Sequence, residues 1–125
     1  MLSIGGWNAG SEEYSIMAKD PVKRQIFVDS LVPFLRTYGF MGLDLDWEYP
    51  GMRPGSDYDV DKEDFVILMN EVSDALHSEG MILTSAVSGG YLTIEVAYDI
   101  PALSQYLDFF NVMCYDYHGW FPEHG

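Results

Sequence analysis

The chain has 125 residues, 48% of them hydrophobic and 15% aromatic, and a formal net charge of −14. That length supports one ordinary domain with a real core, and so much apolar and aromatic content excludes an intrinsically disordered chain. The charge speaks against nucleic acid as a partner, because phosphate binding needs a basic face; most of the excess acid reads as solvated surface.

In chain order, "MLSIG" is a short apolar strand that ends in Gly5-Gly6. Asp20-Pro21 reads as an N-cap followed by proline at the first helical position. Ile26, Phe27, Leu31, Phe34, Leu35 and Tyr38 follow at helical spacing, with Pro33 expected to kink or interrupt the helix and Gly39 to close it. "FMGLDLDWEY" is the second strand, and "PGMRPGSDYDVD" is a loop rich in turn-forming residues. Asp61 is expected to cap the next helix, whose apolar stripe is Phe65, Leu68, Met69, Val72 and Leu76 and which ends at Gly80. His77 falls on that helix and reads as a surface residue. "MILTSAVS" is a third strand, "IPALSQYL" a short helix and "LDFFNVMCYDY" a fourth strand.

The order β-α-β-α-β-α-β predicts right-handed crossovers and a parallel sheet. Two α/β architectures fit: a small doubly wound sheet, or a piece of a (β/α)8 barrel. A complete barrel takes about 250 residues, so this chain corresponds to about half of one, and it starts on a strand and stops just after one, as a fragment would. A half barrel with open sheet edges is expected to be unstable or self-associating alone, and inactive. The single cysteine, Cys114, excludes an intrachain disulfide and reads as a small buried residue. There is no apolar run of membrane-spanning length and no signal-peptide pattern.

Chemistry concentrates in residues 39–51, "GFMGLDLDWEYPG". Residues two apart on a strand share a face, so Asp44, Asp46 and Glu48 share one and Leu43, Leu45 and Trp47 the other. In a barrel the acids face inward, and Glu48 comes last, at the carboxyl end where barrel enzymes place catalytic groups. Carboxylates so close raise one another's pKa, so the row is expected to share a proton and keep one acid protonated near neutral pH for general acid catalysis. An edge strand with one solvated face accounts for two alternating acids better than for three. A Mg²⁺ or Ca²⁺ site that draws on "GSDYDVD" ranks below acid catalysis, and no metal is assigned.

With these residues in view, the chain resembles glycoside hydrolase family 18, the chitinases and chitinase-like lectins. "MGLDLDWEYP" (41–50) is similar to that family's Asp-x-x-Asp-x-Asp-x-Glu strand-four signature, "SIGG" (3–6) to its strand-three Ser-x-Gly-Gly, and "MCYD" (113–116) to its strand-six Met-x-Tyr-Asp. The resemblance covers essentially the whole chain, as barrel strands three to six of eight within one catalytic domain. It implies hydrolysis of β-1,4-linked N-acetylglucosamine polymers, chitin and chito-oligosaccharides, by a substrate-assisted retaining mechanism. In that scheme Glu48 is the acid/base, Asp46 holds the acetamido group, Asp44 buffers Asp46, and Tyr115 hydrogen-bonds the acetamido oxygen with Asp116 beside it. Trp7 would be a sugar platform, with Asn8, Tyr49, Met113 and Trp120 as further substrate contacts and Ser3 with the glycines as supports. His118 and His124 receive no role. The resemblance implies no cofactor, no obligate oligomer and an extracellular, secreted protein.

Met41 departs from the pattern by standing where the family has its first aspartate. Methionine neither accepts a proton nor donates a hydrogen bond. The expectation is a lowered rate or a shifted pH profile; the alternative is a lectin that binds chitin without cutting it.

Overall fold

The computed structural model describes residues 1–113. Four parallel strands, β1 (Leu2–Gly5), β2 (Gly42–Asp46), β3 (Ile82–Ser88) and β4 (Phe109–Met113), lie side by side in sequence order. A doubly wound sheet reverses strand order at a switch point, whereas a (β/α)8 barrel does not. The unbroken order therefore selects the partial barrel. The helices are α1 (Glu12–Lys19), α2 (Pro21–Thr37), α3 (Asp61–His77), α4 (Tyr91–Ala97) and α5 (Ile100–Leu103), with a 3-10 turn at Trp7–Ala9. No helix among the described residues is long and apolar enough to cross a membrane.

The alternation of β2 decides how the layers meet. Leu43, Leu45 and Trp47 are fully buried in the core with Leu35 of α2 and Phe65, Leu68, Met69, Val72 and Leu76 of α3. Each such side chain contributes about 1.5–3 kcal/mol on leaving water. The helices are also joined by polar bonds. Arg24 of α2 is buried, donates to the Ala18 carbonyl at the end of α1 (2.7 Å) and pairs with Glu71 of α3 at 3.1 Å.

Asp20 caps α2 as its sequence predicts, its Oδ1 accepting from the Val22 and Lys23 amides. Several expectations need correction. Pro33 does not interrupt α2, which runs on to Thr37; a proline there forfeits one backbone bond, and the packing of Leu31 and Leu35 on either side holds the helix together. Asp61 does not cap α3. Val60 holds that position, and Asp61, in the first turn, is fully buried with its carboxylate turned back to the preceding loop. Its Oδ2 accepts from the amides of Gly51 (3.0 Å) and Asp57 (2.9 Å), and its Oδ1 from the Ser15 hydroxyl (2.7 Å). His77 lies at the surface, as expected, and its ring lies 2.9 Å from the Ser73 hydroxyl and 2.8 Å from Asp108 just before β4. Two helices, α1 and α4, were not anticipated, and β2 is shorter than expected, stopping at Asp46 so that Glu48 follows the strand.

Candidate active site

Parallel register sets Ser3 of β1, Asp44 of β2 and Thr84 of β3 side by side on one rung. The Ser3 hydroxyl donates to Asp44 Oδ2 (3.1 Å), while the Thr84 hydroxyl (2.7 Å) and the Asn111 amide of β4 (3.1 Å) donate to Oδ1. Three donors from three neighbouring strands therefore converge on one carboxylate. Sequence reasoning named Ser3 as a support but missed Thr84 and Asn111. Their signal was available in the inward parity of β3 and β4, readable once the register is known.

Asp46 stands one pleat further on, against the turn after β1. Its carbonyl accepts the Gly6 amide at 2.9 Å. Gly5 has φ +104°, and a Cβ there would lie 2.1 Å from that carbonyl oxygen and 2.4 Å from the Tyr14 hydroxyl. Only glycine permits this approach. Burial pushes the Asp46 carboxyl up to about 7, helped by the charge of Glu48, by a hydrogen bond with Glu48 and by the charge of Asp44. The sequence predicts a protonated acid for general acid catalysis, the role assigned to Glu48; the carboxyl that its environment raises is the neighbouring Asp46. Its Oδ1 is buried without a hydrogen-bond partner among the described residues. Tyr14 is pushed up to about 12, by burial and then by the charge of Asp46.

Glu48 is only 8% exposed and opens, with Asp44, Asp46, Ala86, Asn111 and Met113, onto a cavity of about 600 Å³. The opposite side of this segment is anchored by Trp47. Its indole stacks on Tyr14 (5.6 Å, 19°), meets Phe65 edge-on (5.4 Å) and donates to the Ser11 hydroxyl at 2.6 Å. Ser11 in turn donates to the Tyr49 carbonyl. Tyr98, unforeseen, is buried behind the end of β3 and accepts the Ser88 amide; burial raises its pKa.

Trp7 lies in the 3-10 turn with 57% of its surface exposed, and its ring meets Tyr49 at 6.4 Å and 62°. Met113 lines the cavity, half-buried. Asn8 is exposed, and no hydrogen bond from its side chain reaches the acidic row among the described residues. Met41 precedes β2, is 68% exposed and does not line the cavity. Tyr115, Asp116 and Trp120 lie outside the described residues, as do Cys114, His118 and His124. Among the described residues no group of three or more His, Cys, Asp or Glu side chains is arranged to hold a metal ion.

Residues 1–124 match the family described as Glycosyl hydrolases family 18. The Drosophila melanogaster protein named "Probable chitinase 2" is 46% identical over 94% of this chain and 24% of its own length. Chitotriosidase-1 of Mus musculus is 41% identical over 94% of this chain and 26% of its own. A crystal structure of the Ostrinia furnacalis Group IV chitinase in complex with allosamidin superposes with a TM-score of 0.90 at 40% identity, covering 94% of this chain and 31% of that one. The chain thus spans about a quarter of these curated relatives and about a third of that solved chain.

Proposed function

This chain belongs to glycosyl hydrolases family 18, and from that premise we propose that it is part of a single catalytic barrel whose complete protein hydrolyses chitin and chito-oligosaccharides. The observation that carries the reading is the row Asp44, Asp46, Glu48 along one cavity, with the Asp46 carboxyl raised to about 7. A relative solved with allosamidin and one solved with a chito-oligosaccharide support a carbohydrate ligand.

Asp46 and Glu48 share one proton, and Glu48 delivers it to the glycosidic oxygen as the bond to the anomeric carbon breaks. The carbonyl oxygen of the substrate's own N-acetyl group bonds to that carbon from the other face, giving an oxazolinium ion. Asp46, left as the carboxylate, accepts from the acetamido N–H and so holds and polarises that group, and Asp44 lies next to it in the row under three fixed donors. Water then attacks the anomeric carbon as the bond from that carbon to the acetamido oxygen breaks, and it yields its proton to the Glu48 carboxylate, so configuration is retained. By their match to the family's strand-six motif, Tyr115 and Asp116 are assigned to the acetamido group, and Trp7, Tyr49 and Met113 are assigned as sugar contacts.

Glu48→Gln in the complete protein tests this. Hydrolysis is expected to fall by several orders of magnitude while chito-oligosaccharide binding persists. A variant that still turns over substrate would remove Glu48 from the acid role. The second reading, a chitin-binding lectin, draws on Met41 standing in place of the family's first aspartate; absence of any hydrolysis by the unmodified complete protein favours it.

A further inference from the structure

Arg53 lies in the loop between β2 and α3, outside every family motif in the chain. Its guanidinium carbon stands 3.6 Å from the centre of the Trp7 indole. The Nη1 of the same group donates to the Trp7 carbonyl at 2.7 Å and to the Glu48 carbonyl at 3.1 Å. One side chain therefore covers an indole face and bridges the backbones of two loops that come from different strands. Its own backbone sits at φ 83°, a left-handed conformation that residues other than glycine seldom adopt. Such outliers persist where surrounding contacts over-determine them. Here the buried Asp61 carboxylate binds the amides of Gly51 and Asp57, one on each side of Arg53.

An indole has two faces. The guanidinium covers one of them and Tyr49 meets the ring in a T-shaped contact at 6.4 Å, while 57% of Trp7 stays exposed, so the surface left for a sugar is confined to what these two neighbours leave open. We propose that Arg53 is a positioning residue. It fixes the Trp7 indole as a one-sided platform for the apolar face of a β-linked N-acetylhexosamine unit and locks that platform to the backbone of Glu48. The inference rests on the reading of Trp7 as a sugar contact. Arginine suits the task because its planar group stacks flat while donating in its own plane, which an ammonium does not.

The test uses the complete protein with Arg53→Ala, Arg53→Lys, Trp7→Ala and the Arg53/Trp7 double variant. Without substrate, the Trp7 indole N–H resonance, assigned by its loss in Trp7→Ala, is expected to shift and broaden in Arg53→Ala and to shift less in Arg53→Lys. With chito-oligosaccharide, Arg53→Ala is expected to raise KM about two- to fivefold, the range of an exposed cation–π contact, with kcat changed less. The double variant is expected to be no worse than Trp7→Ala alone. An unchanged Trp7 resonance in Arg53→Ala overturns the positioning role. So does an unchanged KM in that variant when Trp7→Ala raises KM. A normal KM in Trp7→Ala removes the platform reading instead, and activity in Glu48→Gln removes the catalytic reading; in either case the Trp7 resonance still tests the contact with Arg53.

Discussion

Replacing Asp61 by alanine isolates the support beneath the β2–α3 loop. The carboxylate is fully buried and accepts from the Ser15 hydroxyl at 2.7 Å and from the Asp57 and Gly51 amides at 2.9 and 3.0 Å. A hydrogen bond to a charged group is worth about 1.5–3 kcal/mol, and a buried donor left unpaired costs about 1–3 kcal/mol. Water entering the relaxed loop recovers part of this, so the expected loss for Asp61→Ala is about 3–5 kcal/mol. That is a large share of a domain stability of about 5–15 kcal/mol. Asp61→Asn can keep its oxygen for the Gly51 and Asp57 amides and turn its NH2 toward the Ser15 hydroxyl, which can accept, so its loss should be about half as large or less. Asp59→Ala is the control: its side chain is exposed and makes no hydrogen bond among the described residues, and it should stay within about 0.5 kcal/mol. Urea unfolding of the complete protein at pH 7 measures all three. A loss below about 1 kcal/mol in Asp61→Ala would refute the assignment of this carboxylate as the loop's anchor.

Asp46 sets a pH dependence. Its folded pKa of about 7 lies above the ordinary 3.8, so between those values the folded protein holds a proton that the unfolded chain has released. Its contribution therefore makes stability fall as pH rises from about 4 to 7, with the penalty complete above that. Urea midpoints at pH 5 and pH 7.5 should separate less in Asp46→Asn than in the parent, and an unchanged separation would argue against a retained proton. Met41→Asp restores the family's first acid; a shift in the pH–rate profile of the complete protein is expected, and an identical profile would show that position 41 has no bearing on the row.

The strands were legible because β2 alternates strictly and its neighbours carry short apolar runs, and α2 and α3 were legible from a cap and a stripe. Helix α1 was not, because the residues it buries most deeply, Ser15 and Ala18, are too small to make a hydrophobic period. Helix α4 is a seven-residue segment with one buried residue, again too little for a pattern. Asp61 misled because an acid at the head of an apolar stripe looks the same whether it caps the helix or points back into a loop. Within the candidate site, the shared cavity lining of Asp44, Asp46 and Glu48 was readable by parity, and the exposure of Trp7 by its place in a turn. Arg53 was not: its place over Trp7 follows from a left-handed loop conformation that nothing in "PGMRPGS" announces.

The hydrogen bonds on Asp44 close contacts across 41, 40 and 67 residues of chain, to Ser3, Thr84 and Asn111. Slipping any of those strands by one residue turns its donor to the other face. The carboxylate thus serves as a gauge of assembly. It acquires its full set of donors only when four segments far apart in sequence have paired in the correct order and register, and each closure lengthens the search that folding must complete. A sheet assembled out of register would carry the same acids in the same strand and lack the electrostatic setting that makes them a site, so errors of folding here would be silent in composition and visible in chemistry.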